Sequence, residues 1–301
     1  MKIIVGSRGS DLALTQTKMV IGEIEKLNPE VDCEIKIIKT TGDIIYDKPI
    51  AQIGGKEIFT KEIEKELLNK GIDMAIHSMK DMPGTLPEGL KLTYTPKRED
   101  PRDVLVLKEG YKSIDDIPKG GVIGTGSMRR KYQILDIRPD LKVVGIRGNV
   151  QTRINKIDLE NLDATILAAS GMKRLGIDLK ERMHYLDVEE FSPSPCQGIL
   201  AIEIREGDDE LEKILKTISH ENTEIEARAE RAFLKSVGGS CTVPVGARTV
   251  IDGDKMYLEG FLGSEDGELL MKKVSEGTTD EAHEIGKTLG EEMLNDMKKM
   301  L

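Results

Sequence analysis

Apolar positions along this chain follow two alternating rhythms. KIIVGS, CEIKIIKT, DMAIHS and LKLTYT are short and rich in apolar and β-branched residues, as strands are. Among them, SDLALTQTKMVIGEIEKL and FTKEIEKELLNKG repeat apolar residues at three- and four-residue spacings, the period of a helix with one buried face. After the charged, turn-rich KREDPRD the alternation restarts. DVLVLK is followed by GGVIGT with a helix from SMRRKYQIL, LKVVGI with a helix from NVQTRINKI, and ATILAA with a helix from GMKRLG. Strand and helix in turn predict parallel or mixed sheets covered on both faces by helices. SPSPCQG interrupts the pattern, and GILAIEIRE reads as one more strand, expected to return to the first sheet. From about His220 the order becomes a helix (EIEARAERAFLKSV), three strands (TVPVGARTV, KMYLEGFLG, ELLMKKVSEG) and a last helix (TDEAHEIGKTLGEEMLNDMKKM), which is α+β. The expected division is a first lobe of residues 1–97 plus about 196–218, a second lobe of 98–195, and a C-terminal α+β domain of 219–301.

Composition narrows the function classes. A chain of 301 residues is long enough for two or three domains with cores of their own. No apolar run reaches the roughly 18 to 20 residues of a membrane span, and MKIIVGSRGSD enters a strand-like run with no signal-peptide core, so a cytoplasmic location without membrane contact is expected. A net charge of −10 and 3% aromatics without tryptophan argue against nucleic-acid binding. Cys33, Cys196 and Cys241 lie far apart, which points to free thiols and away from a zinc cluster or a disulfide framework. His77, His184, His220 and His283 show no ligand spacing, so no metal site is expected.

Against this acidic background the arginines are unevenly placed. Before Arg98 there are thirteen lysines and a single arginine, Arg8, whereas residues 129 to 174 hold Arg129, Arg130, Arg138, Arg147, Arg153 and Arg174. Lysine suffices to solubilise a face, while the planar arginine fork grips a carboxylate through two parallel hydrogen bonds. Apart from Arg138, expected on the surface, these arginines fall at strand-to-helix junctions, where open α/β sheets bind ligands. Cations there oppose the helix dipole, so an anionic ligand should offset them. GGVIGTGSMRR lacks the P-loop lysine and has Arg129 where a dinucleotide fingerprint wants glycine, so the ligand is better described as a polycarboxylate than as a nucleotide. Lys80 and Asp81 follow the strand DMAIHS; a carboxylate among cations stays ionised and can bind an ammonium or stabilise a developing cation. GGSCTVPV sets Cys241 on a glycine-rich loop before a strand.

Together these residues resemble the hydroxymethylbilane synthase (porphobilinogen deaminase) family over essentially the whole chain. The matching stretches are RGSDLA from Arg8, Gly54-Gly55-Lys56 with Phe59, HSMKDMP from His77, KREDPRD from Lys97, GTGSMRR from Gly124, RGNVQTR from Arg147, LAASGMKRLG from Leu167, CQG from Cys196, and the Cys241 loop. The resemblance implies an α/β fold with two periplasmic-binding-protein-like lobes of mixed sheet around a cleft, plus the C-terminal α+β domain. It also implies a transferase of tetrapyrrole and heme biosynthesis that deaminates and condenses four porphobilinogen molecules head to tail, then releases hydroxymethylbilane by hydrolysis. The growing chain would sit on a dipyrromethane cofactor, joined to Cys241 by a thioether and made from the enzyme's own substrate. Carried over by motif, Asp81 is the catalytic carboxylate. Lys80, Asp81, Thr125, Ser127, Arg129, Arg130 and Gln197 hold the cofactor with Cys241, and Arg8, Ser10, Arg147, Arg153 and Arg174 bind substrate or the growing chain. A monomer is implied. Two departures stand out: Ser240 intervenes between Gly-Gly and the cysteine, and Cys196 fills a slot before Gln-Gly that is usually not cysteine, although a buried packing role suits it. The alternative from another class is a non-catalytic two-lobed binding protein or sensor for an anionic small molecule, which would need neither Asp81 nor Cys241.

Overall fold

The computed structural model describes residues 1–44, 58–238 and 243–301. In chain order the strands are β1 (Lys2–Ser7), β2 (Asp32–Ile37), β3 (Met74–Ser78), β4 (Leu90–Leu92), β5 (Asp103–Leu107), β6 (Val122–Gly124), β7 (Lys142–Val144), β8 (Ala164–Ala168), β9 (Met183–Tyr185), β10 (Leu200–Arg205), β11 (Val245–Asp252), β12 (Lys255–Gly263) and β13 (Leu270–Thr278). The helices are α1 (Asp11–Leu27), α2 (Thr41–Ile44), α3 (Lys61–Leu68), α4 (Met128–Ile137), α5 (Val150–Leu159), α6 (Ala169–Arg174), α7 (Asp209–Lys216), α8 (Glu221–Ser236) and α9 (Ala282–Met300). The chain divides into two compact units, Met1–Glu99 with Gly198–Ala227, and Asp100–Gln197 with Arg228–Leu301.

The first unit is built on a sheet of order β2-β1-β3-β10-β4. β1 runs parallel to β2 and β3, and β10 lies antiparallel to both β3 and β4. One face of the sheet packs Ile3, Val5, Met74, Ile76, Ile202 and Ile204 against Val20 and Ile24 of α1 and Leu211 and Leu215 of α7. The other face packs Ala75, Ile72 and Leu90 against Ile63 and Leu67 of α3. Cover on both faces is why the inner strands read as nearly unbroken apolar runs.

The second unit repeats the scheme with a sheet of order β7-β6-β8-β5-β9. β6 is parallel to β7 and β8, and β5 is antiparallel to β8 and β9. Leu105, Leu107, Ile123 and Ile166 pack with Ile134 of α4 on one face; Val104, Val106 and Leu167 pack with Ile154 and Ile157 of α5 and Met172 of α6 on the other. The same unit carries the antiparallel sheet β11-β12-β13. There α9 crosses α8 closely enough that a Cβ at Gly286 would run into the Ala229 carbonyl. The fold is therefore mixed α/β, with a C-terminal three-stranded sheet and its helices.

Some elements differ from the sequence expectation. LKLTYT supplies only Leu90–Leu92 as strand, and β9 and α7 were not anticipated. Arg174 is the last residue of α6, where a cation suits the helix dipole, and not in a first turn. Arg147 lies three residues past β7, in the loop before α5.

Candidate active site

The turns that follow β1, β3 and β6 carry most of the expected site residues, and their local order begins with helix capping. A helix start leaves unpaired N–H groups that a serine or asparagine side chain can accept. Ser10 Oγ caps α1 at Ala13 N (3.4 Å), Ser127 Oγ caps α4 at Arg130 N (3.4 Å), and Asn149 caps α5 at Thr152 N (2.8 Å). Thr125 Oγ1 accepts the Ser127 N–H at 3.3 Å, closing the turn before α4. The polar residues of RGS, GTGS and RGN thus fix backbone geometry, and the hydroxyls of Ser10 and Ser127 keep a proton to donate.

In the first unit, β3 runs into the 3₁₀ turn Met79–Asp81. Three residues per turn set successive side chains about 120° apart, so Lys80 and Asp81 diverge. Lys80 is half-buried and Asp81 exposed, and among the described residues the Asp81 carboxylate has no hydrogen-bond or ion-pair partner. Asp81 lines a pocket with Arg8, Ser10, Gln16, Phe59, His77 and Met82. Arg8 forms a bidentate pair with Asp43, and its guanidinium lies 4.3 Å from the Phe59 ring centroid. Burial pushes the Asp43 carboxyl up, but hydrogen bonds from Arg8 and Thr40 outweigh it and hold the group below its ordinary value. Deeper in the wall, His77 Nε2 stands 3.1 Å from Glu203, and both side chains are buried.

In the second unit Arg129 and Arg130 are not splayed on a surface. They are 5% and 6% exposed and converge on Asp103, the fully buried first residue of β5. Arg129 Nη2 meets Asp103 Oδ2 at 2.7 Å, and Arg130 Nη2 and Nε meet Oδ1 at 2.7 and 3.1 Å. Their other ends bond the Ser192 and Ile166 carbonyls. Gln197 completes the cluster, donating to Asp103 Oδ1 at 3.0 Å and to the Pro101 carbonyl at 2.7 Å. Burial would raise the Asp103 carboxyl; the two arginine charges, with hydrogen bonds from Arg130 and Gln197, hold it well below the usual carboxylate range. Two guanidiniums against one carboxylate leave one positive charge in excess at the start of α4, which fits an anionic ligand.

Gln197 is aimed by a strained turn. Cys196 has φ of +60°, a left-handed conformation costing a residue with a Cβ roughly 1–2 kcal/mol, and its N–H is tied to Glu230 at 2.6 Å. Gly198 follows at φ +90°, where a Cβ would meet the Glu99 carbonyl. Cys196 is 1% exposed. Cys33 packs beside the first core, and burial, then Glu25 and Asp32, push its thiol up to about 11, away from reactivity.

Of the remaining expected residues, Arg147, Arg153 and Arg174 are half-buried in the second unit, with Arg153 Nε donating to the Gly148 carbonyl at 2.8 Å. Cys241, Gly54, Gly55 and Lys56 lie outside the described residues. The sequence reading missed Asp43 and Asp103. Asp103 had a signal: a lone acid heading an otherwise apolar strand, beyond which two adjacent arginines needed a counter-charge.

Comparison with known proteins decides what this arrangement belongs to. Residues 3–213 match the family described as porphobilinogen deaminase, dipyromethane cofactor binding domain, and residues 224–295 match porphobilinogen deaminase, C-terminal domain. The chain belongs to the porphobilinogen deaminase family. The porphobilinogen deaminase of Clostridium novyi (strain NT) is 52% identical, with alignment over 99% of this chain and 100% of the relative; that of Clostridioides difficile (strain 630) is 51% identical over 98% of each. Among solved structures, the probable amino-acid ABC transporter extracellular-binding protein ytmK from Bacillus subtilis is similar over 78% of this chain and 97% of its own, at TM-score 0.45 and 14% identity. Membership of the porphobilinogen deaminase family sets aside the non-catalytic binding protein as a reading of this chain.

Proposed function

We propose that this chain is a hydroxymethylbilane synthase, a transferase that deaminates four porphobilinogen molecules, joins them head to tail and releases hydroxymethylbilane by hydrolysis. The observation that carries the reading is the pocket of the first unit, where the exposed Asp81 carboxylate and the Arg8 guanidinium line one cavity. Porphobilinogen offers the matching groups, an aminomethyl ammonium and a pyrrole N–H for a carboxylate, and two side-chain carboxylates for a guanidinium. Asp81 accepts hydrogen bonds from the ammonium and the ring nitrogen, and its fixed negative charge stabilises the cation that develops as ammonia leaves. Arg8 and Ser10 hold substrate carboxylate, and Phe59 and Met82 line the cavity with apolar surface that limits water. Arg147, Arg153 and Arg174 take carboxylates of the lengthening product.

A dipyrromethane bound to Cys241 supplies the pyrrole carbon to which the first substrate is joined. The residues assigned to hold its carboxylates and ring nitrogens are Lys80, Asp81, Thr125, Ser127, Arg129, Arg130 and Gln197. The excess positive charge on the Asp103 cluster supports this assignment, because a poorly solvated cation surplus is further stabilised by a nearby anion. The chain works as a cytoplasmic monomer without a nucleic-acid partner, in three parts, residues 1–97 plus about 196–218, 98–195 and 219–301. Among the described residues no helix is long and apolar enough to cross a membrane, and no cluster of metal-ligating side chains occurs.

Asp81→Asn keeps the shape of the side chain and removes its charge. The expected result is a folded protein with an unchanged circular-dichroism spectrum that releases ammonia from porphobilinogen about 10²-fold more slowly, or slower still. Ammonia release within about twofold of the parent would remove Asp81 from the mechanism.

A further inference from the structure

Arg8 is held on two sides. Along one edge, Nε lies 3.1 and 3.3 Å from the two Asp43 carboxylate oxygens, and Nη2 bonds the first of them. Its flat face stacks on Phe59, 4.3 Å from the ring centroid. Asp43 is fixed in turn, accepting from Thr40 Oγ1 at 2.7 Å. Nη1 has no hydrogen-bond partner among the described residues, and Arg8 borders the same pocket as Asp81. An unrestrained arginine is long and has many rotamers, so a free carboxylate must order it on binding. Here that ordering is complete before any ligand arrives, which is the condition for efficient capture.

We propose that Asp43 and Phe59 are positioning residues: together they lock Arg8 so that its outer Nη1 edge is presented to one carboxylate of the incoming porphobilinogen. The proposal rests on the reading of Arg8 as a substrate-binding residue. A contrary arrangement has Asp43 as a stand-in for the substrate carboxylate, competing with it for the fork. The two differ in sign. If Asp43 orients Arg8, removing its charge weakens substrate binding; if it competes, removing it strengthens binding.

The test is steady-state kinetics with porphobilinogen on the cofactor-loaded parent and on Asp43→Asn, Phe59→Leu, Arg8→Lys and the double variant Asp43→Asn/Arg8→Lys, each checked by thermal unfolding. The expected result is KM raised about three- to tenfold in Asp43→Asn with kcat within about twofold, the signature of lost uniform binding, and KM raised in Phe59→Leu as well. In the Arg8→Lys background, Asn at 43 adds no further increase, because the two residues act through one contact. A purely structural Asp43 would instead add the same effect in both backgrounds, and that outcome overturns the proposal. An unchanged or lowered KM in Asp43→Asn, alongside a raised KM in Arg8→Lys, overturns the proposal while leaving Arg8 as a substrate ligand. An unchanged KM in Arg8→Lys overturns the reading of Arg8 and the proposal with it.

Discussion

Arg8 with Asp43 and Arg129 with Arg130 and Asp103 use the same two side-chain types in different surroundings. The first is one cation to one anion beside a pocket, with side chains 27% and 21% exposed. The second is two cations to one anion in the interior, with side chains 5%, 8% and 0% exposed. In partial contact with water a single pair contributes roughly 0–1 kcal/mol, so Asp43 is not needed to hold the fold and can be spent on orientation. In the interior, desolvation makes each ion costly alone, and the cluster persists because Asp103 answers both arginines while the Ser192 and Ile166 carbonyls and Gln197 take up remaining hydrogen-bonding capacity. Burial, more than residue type, thus decides whether an arginine–aspartate contact orients a ligand-binding group or supports the architecture around one.

The largest expected effect comes from stripping the buried cluster of its anion. Asp103→Ala leaves two uncompensated guanidiniums inside the second unit and should cost about 3–5 kcal/mol, or prevent folding, read as a shifted urea midpoint or loss of soluble protein. Asp103→Asn keeps the volume and should fall between that variant and the parent. The native Asp103 carboxyl titrates below its ordinary value of 3.8, so its contribution is fully present above that pH and is lost as pH falls through the lower folded value. Acid unfolding of the parent should therefore steepen below about pH 4, and in Asp103→Asn that part of the slope should be missing. A loss below about 1 kcal/mol in Asp103→Ala would erase the distinction between the two clusters.

The next effect tests the surplus charge. Arg129→Leu or Arg130→Leu turns the buried cluster into a neutral one-to-one pair, like the one at Arg8. One charge-assisted hydrogen bond is worth about 1.5–3 kcal/mol, so dipyrromethane loading should fall by roughly an order of magnitude or more, measured as the adduct fraction in the intact mass under denaturing conditions. Cys241→Ser is expected to give the unloaded reference mass, as the proposed attachment at Cys241 requires. Full loading in both arginine variants would mean that the surplus serves packing alone.

Sequence revealed the secondary-structure alternation well, because strands covered on both faces leave apolar runs such as DVLVL that carry their own signal. β9 was hidden: its three residues are all half-buried and show no period. α7 was within reach, with Leu211 and Leu215 at helical spacing behind the Asp208 cap, but it is short and follows directly on a strand. At the site, the arginines and Asp81 were visible as residues, whereas the arginines' partners were not. Asp43 lies 35 positions from Arg8, and Asp103 lies 26 and 27 positions from Arg129 and Arg130, so no local pattern joins them. The polar residues of RGS and GTGS were read as ligand contacts, and the capping that they also perform was not foreseen.

The smallest effect lies at the far end of the same scale. Lys2 and Glu34 meet at 2.6 Å with side chains 62% and 61% exposed, a contact shorter than the 2.7 Å pairs of the Asp103 cluster. Mutual hydrogen bonding raises the Lys2 ammonium and lowers the Glu34 carboxyl from their ordinary values. If contact distance set the worth of an ion pair, Lys2→Ala would rival the loss of Asp103. If burial sets it, water and salt screen the pair, and the entropy of holding two long side chains cancels the remainder. The expected outcome is a urea midpoint for Lys2→Ala that matches the parent within error, at low salt and high salt alike. A clear drop at low salt that vanishes at high salt would show that exposed pairs do hold this sheet edge, and the contrast drawn between the pocket pair and the buried cluster would then be one of degree.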